Sequence, residues 1–451
     1  MANQVQAVNG LTLAKIQAVN GLTDANIQAV NGLEMVGTVD PSKVSITNDL
    51  VNSGRSFGNN ICYGTHLTDG TAQKQLFVTY GDAGNSRYPT VRVGTVSGDT
   101  ITWGTEVELD DGGSSSHTEG VYNEEEKRFM CHFHSSSGNN DHKAIGGSIT
   151  DKSVGSLGTV ADVEAGGSGY NQAVNSNIAV YNPTSDTMDC IYEYGDDASD
   201  GNHIRSVCFT DTDTNNNLTV GSRVEFVNSN QEFMGIDYNS QRSRTVVVYN
   251  DGSSTVKARV IIHGATKTGS ISDRNTITLG TEATFSTSSS LTIAEYYGGR
   301  NICWNPDQNV HHVILDDNGT ARIVHFSVDA SNGVSWDTTN KATVSSGTAS
   351  GNNTGGGVVY NHARDRLISY GATSTAVGSQ YNFEYHSYNG STYTSQGSAT
   401  TLSTLNGHHR GCGTTKTDTS GIHNGSFMVN HIYDGSDDGD GCRIYCMDPG
   451  V

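Results

Sequence analysis

The chain has 451 residues, enough for two or three ordinary domains or for one large repeat domain. Its 54 glycines against 5 prolines suit many short strands joined by tight turns, and its 34% of hydrophobic residues fall in an alternation that argues against disorder. A net charge of −21 excludes phosphate-driven nucleic-acid binding and attraction to an anionic membrane, both of which need clustered Lys and Arg.

The chain opens on a repeat. Val5-Gln6-Ala7-Val8-Asn9-Gly10-Leu11-Thr12 returns as Ile16-Gln17-Ala18-Val19-Asn20-Gly21-Leu22-Thr23 and again as Ile27-Gln28-Ala29-Val30-Asn31-Gly32-Leu33-Glu34, with a period of 11 residues. Each copy is a short apolar run ended by Asn-Gly, a strong turn signal that also argues against a continuous helix of the right-handed coiled-coil kind. One copy cannot bury its own face. Residues 1–36 are therefore expected to be an assembly segment that contacts neighbours through Val8, Leu11, Val19, Leu22, Val30 and Leu33. Met1 to Gln6 lack the basic stretch and apolar core of a secretory leader, and no run is long enough to span a membrane.

A second, longer repeat occupies residues 37–451. An aromatic-Asn pair, a polar turn and an apolar strand recur: Tyr122-Asn123, Tyr181-Asn182, Tyr238-Asn239, Trp304-Asn305 and Tyr360-Asn361 each precede such a strand, with weaker copies at Cys62-Tyr63 and Thr414-Thr415. The interval is about 55 to 66 residues, which accommodates four strands, A to D, per unit. The expected fold is all-β, a seven-bladed β-propeller behind a short repetitive extension. The last unit has strand A near Gly411 to Thr415, B at Ser426 to Tyr433 and C at Gly441 to Met447, and then lacks a strand D. Lys43-Val44-Ser45-Ile46-Thr47-Asn48 alternates like a strand and is expected to fill that place, removing an open edge.

Residues capable of chemistry are numerous but unclustered. There is no GxSxG, HExxH or P-loop. The eight cysteines form no CxxC pair and read as small buried hydrophobes, with Cys190 and Cys208 the one pair that a hairpin would bring face to face. A basic residue recurs on strand C as Arg92, Lys143, Arg205, Arg259, Arg322 and Arg443. An anion-binding ring is one reading; pairing with the turn Asp of the same blade, Asp82 with Arg92 and Asp434 with Arg443, is the stronger one. The acidic loops Asp211-Thr212-Asp213-Thr214-Asn215 and Asp434-Gly435-Ser436-Asp437-Asp438-Gly439-Asp440 have oxygen ligands suited to calcium, yet neither completes an EF-hand, and they read as solvated turns. Loops entering strand A converge on one face of a propeller. Arg55, Phe57, His117, Tyr297, Arg300, His408, His409 and Arg410 lie there and are the candidate ligand-binding residues, suited to a sugar or a protein surface.

Two resemblances bear on function. Ser327-Val328-Asp329-Ala330-Ser331-Asn332-Gly333-Val334-Ser335-Trp336 resembles the Asp-box hairpin of sialidase-type propellers, with an insertion between Asp and Gly; in that family the box is a structural turn. The AVNGLT copies, with phrases such as Arg92-Val93-Gly94-Thr95-Val96-Ser97-Gly98-Asp99-Thr100-Ile101-Thr102-Trp103-Gly104, resemble repeats in tail-fibre and other structural proteins of marine phages and cyanophages. That resemblance implies a non-enzymatic virion protein, made in the host cytoplasm and released by lysis. Such a protein is fibre-associated or host-surface-binding and forms a homo-oligomer. Its expected partners are other virion proteins and a host glycan or receptor, and it has no cofactor, metal or catalytic residue. The alternatives are a capsid decoration protein and a propeller glycosidase or lectin acting on surface polysaccharide.

Overall fold

The computed structural model describes residues 75–403 apart from the segments 98–99, 116–117, 124–125, 137–140, 165–176, 196–201, 212–214, 229–233, 251–254, 286–290, 293–300, 318–319, 345–356, 362–364, 373–380 and 397. Beyond that range it describes the backbone of eleven strands, which lie between residues 7 and 63 and between residues 409 and 448. The described residues are all-β except for single short helical turns at Ala83–Asn85 and Ile271–Arg274.

The strands form seven antiparallel sheets of four or five strands and three two-stranded hairpins. Six of the seven large sheets are built from strands that follow one another in the chain, so their pairing is local. The second is typical: Thr118–Asn123, Arg128–Ser135, Asp141–Thr150, then an outer strand broken into Ser153–Leu157 and Ala161–Glu164. The inner strands pack side by side in chain order. Ser56–Tyr63 lies beside Thr118–Asn123, followed by Asn177–Asn182, Met234–Asn239, Ile302–Asn305, Gly357–Asn361 and His409–Thr415, and the last returns to Ser56–Tyr63. The arrangement is propeller-like. The outer place in the final sheet is taken by Ser45–Leu50, which pairs antiparallel with Arg443–Asp448, Thr47 opposite Cys446 and Asn48 opposite Tyr445.

Sheets packed on both faces must bury both sets of alternate side chains. Arg128–Ser135 does so: Phe129, Cys131 and Phe133 join Phe77, Val91 and Val93 on one side, while Met130 joins Tyr192, Val207 and Phe209 on the other. Burial of one such Phe contributes about 1.5–3 kcal/mol. The same alternation settles the cysteines. Cys190 faces the core between the second and third sheets and Cys208 the core between the third and fourth, so they cannot bridge. Both are buried free thiols.

The aromatic-Asn pairs end the inner strands and explain why the unit repeats. Asn182 Oδ1 accepts the Thr184 and Ser185 N–H groups at 3.0 and 3.2 Å, holding the turn, while its Nδ2 donates to Thr245 Oγ1 of the next sheet at 3.0 Å. Asn123 donates to Tyr181 Oη at 2.7 Å and Asn239 to His311 Nε2 at 3.2 Å, each one sheet onward. The aromatic tips reach back: Trp304 Nε1 donates to Ser240 Oγ at 3.0 Å and Tyr360 Oη to Asp307 Oδ2 at 2.6 Å. Each of these turns ends on a left-handed residue, Lys127, Asp186, Ser243, Asn309 and Asp365, with φ between 49° and 57°. Such non-glycine positions are strained, and the side-chain latch holds them.

A second interlock joins the outer strands. Gly104 and Gly158 sit at the outer-strand breaks and donate to Val93 O and Gly146 O of the adjoining strand. A Cβ on Gly104 would stand 1.7 Å from Lys152 O, and one on Gly158 2.2 Å from Asn216 O, both carbonyls belonging to the following sheet. Only glycine permits that approach.

Candidate functional site

The antiparallel meander places the starts of the inner strands, the ends of the second strands and the starts of the third at one end of the molecule. Phe57 is the second residue of Ser56–Tyr63, opposite Gly81, and His409 and Arg410 open His409–Thr415, opposite Tyr433 and Ile432. These inner strands are neighbours, and His117 precedes Thr118–Asn123 on the far side of Ser56–Tyr63. The backbone thus gathers Phe57, His409 and Arg410 at one end. Tyr297 and Arg300 precede the fifth sheet's inner strand Ile302–Asn305 in the sequence. Arg55, His117, Tyr297, Arg300 and His408, and the side chains of Phe57, His409 and Arg410, lie outside the described residues. The side chains of Val8, Leu11, Val19, Leu22, Val30 and Leu33 lie outside them too.

Beside the same end, between the second and third sheets, is a cluster that the sequence did not single out. His132 and His142 stack at 5.1 Å, His142 meets Tyr192 at 4.5 Å, and His134 approaches His142 edge-on at 5.9 Å. All four are buried. Burial, reinforced by the charge of His134, lowers His132 to about 3; burial lowers His134 to about 4, against the pull of Asp141. His132 and His134 are therefore neutral near pH 7. Tyr192 Oη donates to Glu164 at 2.8 Å, and Glu164 also accepts from Arg205 and from Arg223 at 3.0 Å. Burial, then the Glu164 charge, raises the Tyr192 phenol well above its ordinary value. Glu164 thus ties the phenol of Tyr192 to two guanidiniums, a structural role that leaves its oxygens occupied.

Two further groupings look catalytic by residue type. Ser369, His386 and Glu384 lie together, but Ser369 Oγ at 3.3 Å and Glu384 Oε1 at 3.8 Å both approach His386 Nε2. A nucleophile triad needs the serine on one ring nitrogen and the acid on the other. All three residues are buried. Asp189 accepts from Thr187 at 2.8 Å and from Thr245, and contacts His263 Nε2 at 3.0 Å, while His263 Nδ1 donates to Arg274 O at 2.7 Å. With a carbonyl on one nitrogen and a carboxylate on the other, His263 is an imidazolium. Burial opposes that charge, but the Asp189 carboxylate outweighs it and His263 is raised; burial likewise opposes the Asp189 charge, and the His263 contacts and two threonine hydroxyls leave it lowered.

A directed chain links the fifth and sixth sheets. Asn305 Nδ2 donates to His312 Nε2 at 3.3 Å, so His312 carries its proton on Nδ1, 2.9 Å from Tyr393 Oη. Tyr393 then donates to His325 Nδ1 at 3.1 Å, and His325 Nε2–H faces Tyr388 Oη at 2.8 Å and Asp337 at 3.4 Å. Each bond dictates the next tautomer.

The strand-C basic residues join strands, but not through the turn Asp expected. Asp82 Oδ1 accepts Gly84 N–H, and Arg92 instead donates to Gly104 O at 2.9 Å and reaches Glu106 at 3.4 Å, because the guanidinium lies toward the outer strand. Arg205 with Glu225 at 3.7 Å and Arg259 with Glu282 at 3.6 Å repeat that pairing, while Lys143 meets Asp110 at 3.3 Å. The Arg443–Asp434 pair lies outside the described side chains. The Asp-box-like segment is a turn: Asp329 Oδ1 accepts Ser331 and Gly333 N–H at 2.7 and 2.8 Å, and Trp336 packs on Phe285 and Phe326. Residues 212–214 and the loop 434–440 lie outside the described residues. Among the described residues no group of three or more His, Cys, Asp or Glu is placed to hold a metal ion.

No family model matches the chain, and no curated protein matches it. Solved structures do. The periplasmic gluconolactonase of Pseudomonas aeruginosa is 10% identical with a TM-score of 0.48, over 77% of this chain and 85% of that one. Sqt1 of Saccharomyces cerevisiae is 10% identical with a TM-score of 0.47, over 89% and 97%. The Aleuria aurantia lectin, a six-bladed β-propeller, is 11% identical with a TM-score of 0.41, over 77% and 97%. Likenesses at these scores transfer no activity, substrate or partner.

Proposed function

We propose that the chain is a seven-bladed β-propeller, closed by its own N-proximal strand, that acts as a non-catalytic display module of a bacteriophage-type particle. In this reading residues 1–36 anchor it and residues 37–451 form the propeller. Its strand-A face binds a host glycan or receptor through Phe57, His117, His409 and Arg410, with Arg55 and His408 adjoining them in sequence and Tyr297 and Arg300 on the loop that enters the fifth sheet.

The observation that carries the reading is where the repeated polar residues go. Asn123, Asn182 and Asn239 each reach one sheet onward. The strand-C Arg residues pair with outer-strand Glu. Side chains common to the units thus tie each sheet to the next and each outer strand to its own sheet, while the backbone brings Phe57, His409 and Arg410, which the other units do not share, to one end. A rigid ring with one variable face suits recognition, since a preorganised surface loses little freedom on binding. The virion assignment rests on the resemblance of the N-terminal repeats.

The test is localisation together with binding. Antibody-labelled electron microscopy of the native particle should find the chain as a stoichiometric component, and His409→Ala with Arg410→Ala should remove glycan or cell binding without lowering the unfolding temperature. A chain absent from particles overturns the virion reading. Release of reducing sugar from surface polysaccharide, abolished by one carboxylate substitution, overturns the non-catalytic one.

A further inference from the structure

The three N-terminal hairpins are the same object three times. Ala7–Val8 pairs with Leu11–Thr12, Ala18–Val19 with Leu22–Thr23, and Ala29–Val30 with Leu33–Glu34, in one register: Val8 opposite Leu11, Val19 opposite Leu22, Val30 opposite Leu33. Each is a separate two-stranded sheet that pairs with no other described strand. Two-residue strands are too short to be stable alone, and both outer edges of each hairpin remain open to pairing.

Charge indicates what pairs with them. The body of the chain carries nearly all of the net charge of −21, so two propellers repel. Residues 1–36 hold only Lys15, Asp24 and Glu34. They are the stretch in which copies of this chain can approach each other without that repulsion. Identical units also present identical edges, so any hairpin of one copy fits any hairpin of another. From Thr12 to Ala18, and again from Thr23 to Ala29, the chain spans at most about 20 Å, so engagement of one hairpin raises the local concentration of the next.

We propose that copies of this chain associate through these hairpins, repeat against repeat, with the three units acting as interchangeable contacts. The proposal rests on the reading of residues 1–36 as an assembly element and names its partner as a second copy.

The experiment is sedimentation and light scattering of the full chain over a wide concentration range, beside in-frame deletions of 5–15, of 16–26, of 5–26 and of 2–34. A discrete oligomer is expected for the full chain. Deletion of 5–15 and of 16–26 should weaken it equally, by about tenfold to a hundredfold each, with a further step for 5–26 and a folded monomer for 2–34. A monomeric full chain, open-ended aggregates, unequal single deletions or an oligomer that survives deletion of 2–34 would each overturn the proposal. The anchor reading fails separately, if particles incorporate the 2–34 deletion as well as the full chain.

Discussion

Acidification should unlock the ring, because histidines buried as neutral rings must take up protons to unfold. His132, His134 and His311 are held at about 3, 4 and 3, chiefly by burial, against an ordinary value of 6.5. A depressed histidine stabilises the fold fully above the unfolded value, and the contribution falls away as pH drops below 6.5 toward the folded value. Between pH 6.5 and pH 5 each group forfeits about 2 kcal/mol, so the three together lose about 6 kcal/mol, against a total stability of about 5–15 kcal/mol for a typical fold. His312, His325 and His386 are also lowered and act in the same sense. The raised His263 contributes nothing to this window, since its stabilisation is complete below 6.5, and the lowered Asp189 titrates only below 3.8. The assay is urea unfolding at pH 7 and pH 5 for the native sequence and for His132→Phe, which keeps a ring against Tyr192 and Phe209. The native chain should lose several kcal/mol and the variant about 2 kcal/mol less. A stability equal at the two pH values, or a variant with an unchanged pH response, would refute the reasoning.

Three other outcomes follow from particular contacts. Asn182→Ala removes the acceptor for two turn N–H groups and the bond to Thr245, and should lower stability by about 2–4 kcal/mol in denaturant titration, whereas exposed Asn389→Ala should change it by under about 1 kcal/mol. Gly158→Ala drives a methyl group into Asn216 O and should cost about 1–3 kcal/mol or more, read as a drop in thermal midpoint; an unchanged midpoint means that the interlock is looser than described. Peptides containing Cys190 and Cys208 should resist alkylation in the native protein and react after unfolding, since both thiols are buried and raised well above 9.0; rapid native labelling of either contradicts the packing.

Much of the architecture was legible in the chain, and for a physical reason: a repeated unit must solve the same burial problem each time. The aromatic-Asn pairs, the apolar strands after them and the Asn-Gly turns are local signals, and each marks a strand end or hairpin that the structure contains. Partner choice is different, because it depends on which sheet stands next to which. Asn182 was visible as a turn residue, but nothing in its neighbourhood announces Thr245, 63 positions onward. Arg92 was visible as a repeated cation, yet whether it turns to Asp82 or to Glu106 is decided by the path of the outer strand. Cys190 and Cys208 sit on adjacent strands in a way that suggests a bridge, and only the two-sided packing of the sheet sends them to different cores. His132, His134 and His142 carry no local motif at all. Their assembly against Tyr192 needs two sheets brought face to face, and there tertiary structure, which buries all four at once, lowers His132 and His134 far below the ordinary histidine value.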